Sequence, residues 1–149
     1  MEELAGAMSW QHTLRRSNGC AGVGLHSGDA ITMVLHPAAP NSGIRFRRTD
    51  VAAENCEIAA LYGNIASTRL CTTLANEHGI RVGTVEHLMA ALAGCEIDNV
   101  VIELSGSEVP VMDGSAEPFV SLIEKAGIVE QDAPRRVFQV LYPVTVRDG

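Results

Sequence analysis

The amino-acid sequence predicts an α+β fold: a two-layer α/β sandwich in which a mainly antiparallel sheet packs on two helices. Three observations carry this. Segments 10–17, 19–26, 30–36 and 43–48 are short, alternate in polarity and are separated by Gly, Asn, Asp and Pro, as strands joined by tight turns are. A run from Thr84 to Gly94 repeats apolar residues at helical spacing. A strand-like run and a second helical run follow. Strands first, then helix, strand, helix, stack into two layers around one core.

Each element has its own local reason. Ile31-Thr32-Met33-Val34-Leu35-His36 places apolar residues at alternate positions and adds further apolar ones between them, predicting a strand covered on both faces. From Thr84 onward, Val85, Leu88, Met89 and Leu92 share one helix face. Thr84 is the expected N-cap and Gly94 the expected stop. Asn99-Val100-Val101-Ile102-Glu103-Leu104 is β-branched and apolar, a further strand, ended by Pro110 and the turn Met112-Asp113-Gly114-Ser115. Ser115 is the expected cap of the second helix, with Pro118 in its first turn and Phe119, Leu122, Ile123 and Ala126 facing inward. Gly127 closes it. Beyond it, 137–141 and 144–146 read as an extended run interrupted at Pro143 and leading into Asp148-Gly149, a hairpin-turn signal. A turn that introduces no second strand predicts that this run opens a further unit.

Length and composition bound the function. The 149 residues suffice for one domain with a real core, and 46% hydrophobic with 19% charged residues is not the balance of a disordered chain. The formal net charge is -7, with a single lysine, Lys125. The densest arginine cluster, Arg45, Arg47 and Arg48, alternates like a strand face. Nucleic acid is therefore not an expected partner. No apolar stretch reaches the roughly 20 residues of a membrane span, and Glu2 and Glu3 stand where a secretory signal would be basic. The expectation is a cytoplasmic protein without a transmembrane segment. Its four cysteines, Cys20, Cys56, Cys71 and Cys95, lack regular spacing and read as reduced thiols.

Chemistry concentrates at the first helix. With Thr84 as N-cap, Glu86 and His87 occupy the first turn, where the partial positive charge of the helix end suits a carboxylate and a neutral imidazole. A neutral imidazole is what a metal requires, and an ionised carboxylate is what a general base requires. Adjacent helical residues project about 100° apart, so a ligand and a base could approach one reacting water from two sides. An acid and a histidine in a first turn are also ordinary surface caps, and the residues alone leave both readings open. None of His12, His26, His36, His78 and His87 begins an H-x-x-H, H-x-x-x-H or H-x-x-x-D pair, so no complete zinc site is legible. Gly22-Val23-Gly24-Leu25-His26 matches no phosphate-binding fingerprint; its glycines predict a bulge or close packing. Ser67-Thr68-Arg69-Leu70-Cys71-Thr72-Thr73 reads either as a strand edge or as a substrate-lining loop.

These motifs together resemble a known family. Residues 84–94 (Thr-Val-Glu-His-Leu-Met-Ala-Ala-Leu-Ala-Gly), followed by Ile97-Asp98-Asn99-Val100-Val101-Ile102-Glu103, are similar to the first half of the UDP-3-O-acyl-N-acetylglucosamine deacetylases. The segments 22–28, 46–50, 67–73 and 108–116 match in the same order, and the resemblance runs from about Gln11 to the end. It implies a zinc-dependent enzyme of lipid A synthesis that removes acetate from UDP-3-O-[(R)-3-hydroxyacyl]-N-acetylglucosamine. By resemblance Glu86 is the general base and His87 a zinc ligand. Leu25, His26, Leu70, Cys71 and Thr72 line the substrate, and Thr84 fixes the helix start behind the site.

The family has two related domains with the site between them, and the resemblance covers the first. The expected organisation is a non-family extension at 1–9, a first domain at 10–130, and at 131–149 a linker and the opening strand of a second domain. The other two zinc ligands belong to that second domain, which is thus an expected partner beside the UDP-linked acylated glucosamine. The 149 residues alone are expected to be inactive. The competing expectation is a non-catalytic stand-alone domain that binds a partner or an acylated ligand.

Overall fold

The structure, a computed structural model, describes residues 9–147. Residues 1–8 of the expected extension and the Asp148-Gly149 turn lie outside the described residues. In chain order the elements are β1 (Trp10–Leu14), β2 (Asn18–Val23), β3 (Ala30–Pro37), β4 (Ile44–Arg48), β5 (Glu57–Ala59), β6 (Ile65–Ser67), β7 (Thr73–Ala75), β8 (Arg81–Val82), α1 (Glu86–Gly94), β9 (Val100–Leu104), α2 (Glu117–Ala126) and β10 (Ile128–Pro134). Single 3-10 turns sit at Ala53–Asn55 and Tyr62–Asn64.

The main sheet has five strands in the order β2-β3-β9-β4-β5. Its pairs are antiparallel except β4 with β9, which run parallel because the chain passes through α1 before entering β9. One face of this sheet carries the core. Ile31, Met33 and Leu35 of β3, Phe46 of β4, Ile58 of β5 and Ile102 and Leu104 of β9 meet Leu88, Ala91 and Leu92 of α1 and Phe119, Ile123 and Ala126 of α2. Each large side chain removed from water contributes about 1.5–3 kcal/mol. The architecture is the expected α+β sandwich. β3, however, is covered on one face only: Ala30 and Thr32 are exposed and Val34 is half-buried. The opposite face instead carries an ionic ladder in which Arg47 joins Glu57 and Glu103, and Glu103 meets His36.

The first and last strands pair with each other. β1 and β10 form a two-stranded antiparallel ladder, with His12 opposite Glu130 and Leu14 opposite Ile128. A buried polar knot ties this ladder to the main sheet. Asn99 accepts from the Gly43 N–H at 2.8 Å and donates to Gln11 Oε1 at 2.8 Å and Gln131 Oε1 at 2.7 Å. Residues 131–134, expected as linker, are thus strand. The strand expected over 137–141 and 144–146 does not form. Among the described residues that segment has no neighbouring strand to bond with, and Phe138, Val137 and Val146 are exposed.

Both helices depart from expectation at their ends. α1 includes Gly94, and the left-handed residue that stops it is Glu96 (φ 57°). The Glu96 N–H bonds to Ala93 O and the Ile97 N–H to Leu92 O, a Schellman closure whose apolar contact is Leu92 with Ile97. At the start of α2, the cap position is Ala116, and Ser115 serves the preceding turn, donating to Asp113 Oδ1 and accepting the Glu117 N–H. Gly127 (φ 76°) closes α2 as expected. No helix among the described residues is long and apolar enough to cross a membrane.

Candidate active site

Glu86 and His87 open α1 and are both half-buried. Their register differs from expectation: Val85 occupies the cap position and no side chain caps the helix. Glu86 and His87 are therefore the first and second helical residues. Thr84 does not cap: its backbone is left-handed (φ 55°), and its hydroxyl accepts no helix N–H and donates to Glu108 Oε1 at 2.7 Å. A left-handed conformation at a β-branched residue costs about 1–3 kcal/mol and persists only where the surroundings impose it.

The Glu86 carboxylate is held from the neighbouring loop. The Thr72 N–H donates to Glu86 Oε2 at 3.1 Å, and the Val85 N–H approaches Thr72 O at 3.4 Å. This loop turns through Leu70, a second left-handed residue (φ 67°), whose side chain is 85% exposed. Met112, which precedes Asp113, is also left-handed (φ 55°). The Asp113 carboxyl is held below its ordinary value, chiefly by the Ser115 hydroxyl and N–H, with a smaller contribution from the charge of His87. Three of the non-glycine left-handed residues thus flank one helix start, and such residues gather where function constrains the backbone.

A cleft of about 410 Å³ lies beside this point, lined by His26, Ser27, Cys71, Thr73, Arg81, Gly83, Thr84, Ser107 and Glu108. Of the expected site residues, His26, Cys71 and Thr84 share this cleft, and Thr72 bonds Glu86. Leu25 is 59% exposed beside His26. Glu86 and His87 do not themselves line the cleft. Glu108 is the residue that sequence reasoning missed. It is 4% exposed, and it accepts the Thr84 hydroxyl and the backbone N–H groups of His26 (3.1 Å) and Ser27 (3.0 Å). Burial pushes its carboxyl up, but these hydrogen bonds outweigh burial and hold it below its ordinary value of 4.5. The available signal was an acidic residue set directly before the apolar run Val109-Pro110-Val111-Met112. Gly24 shows the close packing expected of its segment: a Cβ there would stand 2.5 Å from Glu108 Oε2.

Among the described residues no three His, Cys, Asp or Glu side chains gather as metal ligands. His87 offers one nitrogen donor, and a catalytic zinc site takes about three protein ligands. The described residues by themselves do not make up such a set.

The chain is similar to known proteins along most of its length. A family model described as UDP-3-O-acyl N-acetylglycosamine deacetylase matches residues 11–149. Proteins named UDP-3-O-acyl-N-acetylglucosamine deacetylase are similar to this chain. That of Neisseria gonorrhoeae is 48% identical over 140 residues, 93% of this chain and 46% of the relative. That of Photobacterium profundum is 48% identical over 139 residues, 93% of this chain and 45% of the relative. That of Vibrio cholerae is 49% identical over 139 residues, with the same two shares, 93% and 45%. The chain spans about half the length of the curated relatives it matches.

Proposed function

The chain belongs to the UDP-3-O-acyl N-acetylglycosamine deacetylase family, and from that premise we propose that it carries one part of a site that hydrolyses the N-acetyl group of UDP-3-O-[(R)-3-hydroxyacyl]-N-acetylglucosamine, releasing acetate for lipid A synthesis in the cytoplasm. The observation that carries the reading is the adjacency of Glu86 and His87 in the first turn of α1, with Glu86 Oε2 held by the Thr72 N–H. That bond orients the carboxylate and leaves Oε1 to receive a proton from water, the work of a general base. Glu86 then returns the proton to the leaving amine. Leu25, His26, Leu70, Cys71 and Thr72 face the substrate, and Thr84 fixes the helix start.

His87 is one zinc donor, and the remaining donors come from outside the described residues, in a second domain packed against this one. Zinc, when bound, supplies Lewis-acid polarisation of the acetamide carbonyl. On this reading the 149 residues alone release no acetate.

The test measures acetate release and zinc content for the chain alone and for the chain combined with a polypeptide supplying the second half of a relative. Release only from the combination, abolished by Glu86→Gln with zinc retained, is the expected result. Tight one-to-one zinc with turnover in the chain alone would overturn the divided site. The exposed Leu25 and Leu70 favour a second reading, a non-catalytic domain that binds a partner or an acylated ligand. Ligand binding without turnover in the combination would select it.

A further inference from the structure

Three segments distant in sequence meet on one carboxylate. The backbone of Glu108 runs beside Gly83, with the Gly83 N–H bonded to Ser107 O at 2.9 Å and the Val109 N–H to Gly83 O at 3.1 Å. This bridge sets the Glu108 side chain against Thr84 and under the loop that follows β2. The Thr84 hydroxyl reaches Glu108 Oε1, and the amides of His26 and Ser27 converge on the same carboxylate. No Lys, Arg or His forms an ion pair with Glu108 among the described residues. A buried carboxylate that accepts only neutral donors is an organising acceptor: its lone pairs serve several N–H and O–H groups at once. A glutamine offers a single acceptor oxygen, and its NH2 would face the His26 N–H or turn the Thr84 hydroxyl from donor to acceptor. Gly24 lacks the one atom that would block the arrangement.

We propose that Glu108 is a positioning residue for Glu86 and His87: by accepting the Thr84 hydroxyl it fixes the left-handed turn from which α1 starts, and by accepting the His26 and Ser27 amides it holds the neighbouring loop to the same point. Its catalytic meaning rests on the deacetylase reading, whereas its geometry does not. Thr84 lies two residues before Glu86, so its backbone conformation sets the direction in which the first turn presents both side chains. The Thr72–Glu86 hydrogen bond then reads out whether that direction is kept.

The experiment is NMR of the isotopically labelled 149-residue chain as wild type, Thr84→Val, Thr84→Ser and Glu108→Gln. In Thr84→Val and Glu108→Gln the Thr72 amide and the His87 ring resonances move. Exchange of the Thr72 amide accelerates about fivefold, the loss expected of one hydrogen bond. Resonances of α2 stay in place, which a general rearrangement of the fold would not allow, and Thr84→Ser restores the wild-type spectrum. Unmoved Thr72 and His87 signals in Thr84→Val, or failure of Thr84→Ser to restore them, overturns the proposal. Should Glu108→Gln not fold, the Thr84→Val and Thr84→Ser pair decides. Failure of the deacetylase reading shows separately, as a combined site that binds ligand and releases no acetate.

Discussion

The Thr72 amide donates to Glu86 Oε2 at 3.1 Å, so the loop after β6 and the first turn of α1 share a single hydrogen bond at the candidate base. Glu86→Ala removes the acceptor, yet Thr72 is only half-buried and water can replace it. The expected loss is about 0.5–1.5 kcal/mol in urea denaturation of this chain. Activity of the combined site should fall far more, about 10²–10⁴-fold for loss of a general base. Comparable losses in both measurements would make Glu86 structural.

Glu96 offers a stabilising change. It closes α1 with a left-handed backbone at φ 57°, and its carboxylate meets Arg135 at 3.1 Å while remaining 64% exposed. An exposed pair of this kind contributes little, whereas glycine adopts the conformation without strain. Glu96→Gly is expected to stabilise the chain by about 0.5–1 kcal/mol. Thermal unfolding followed by circular dichroism checks the sign, and a lower midpoint would show that the ion pair outweighs the strain.

Asn99 is the costly polar position. It is 1% exposed and serves Gly43, Gln11 and Gln131 together. Asn99→Ala strands three groups in a partly dry site, and about 3 kcal/mol of destabilisation is expected. The same denaturation measurement on a half-buried surface site, Val101→Ala, provides the comparison.

Acid should unfold the chain partly through Glu108. Its folded carboxyl lies below the ordinary 4.5, so the unfolded state binds the proton more readily. The associated stability is therefore complete above about 4.5 and is lost as pH falls through the lower folded value. The other titratable groups lining the same cleft are His26, Cys71 and Arg81. Glu108→Gln is expected to flatten the fall of stability between pH 5 and pH 3 (~two units of acidification). An unchanged slope would assign the acid lability to other carboxylates, among them Asp50 beside Arg48.

What was legible in the sequence follows from the range of the interactions involved. The inner face of α2 is written as Phe119, Leu122, Ile123 and Ala126, and all four are buried. The pairing of Glu86 with His87 in a first turn is equally local. Thr84 departs from expectation because its fate is not local: its left-handed backbone and its bond to Glu108, 24 positions away, hold it off the helix N–H groups. The segment 137–146 is the complementary case. Alternating apolar residues describe a strand only when another strand lies alongside, and none does among the described residues. Where Glu96 replaces glycine at the end of α1, propensity alone pointed to Gly94.

The β1–β10 ladder has a kinetic side. The Gln11 amide bonds to Pro134 O across 123 positions of chain. At the usual pace of about 5–20 residues per second, β1 leaves the ribosome some ten seconds before its partner exists. During that interval its backbone N–H and C=O groups are an open edge, available to any passing strand. Closing the ladder requires all of the intervening chain to be looped back first, which places this step after the local contacts of the domain. Chaperone capture during synthesis, and pairing between nascent chains at high expression, should therefore concentrate on the opening residues and end abruptly once Pro134 has emerged.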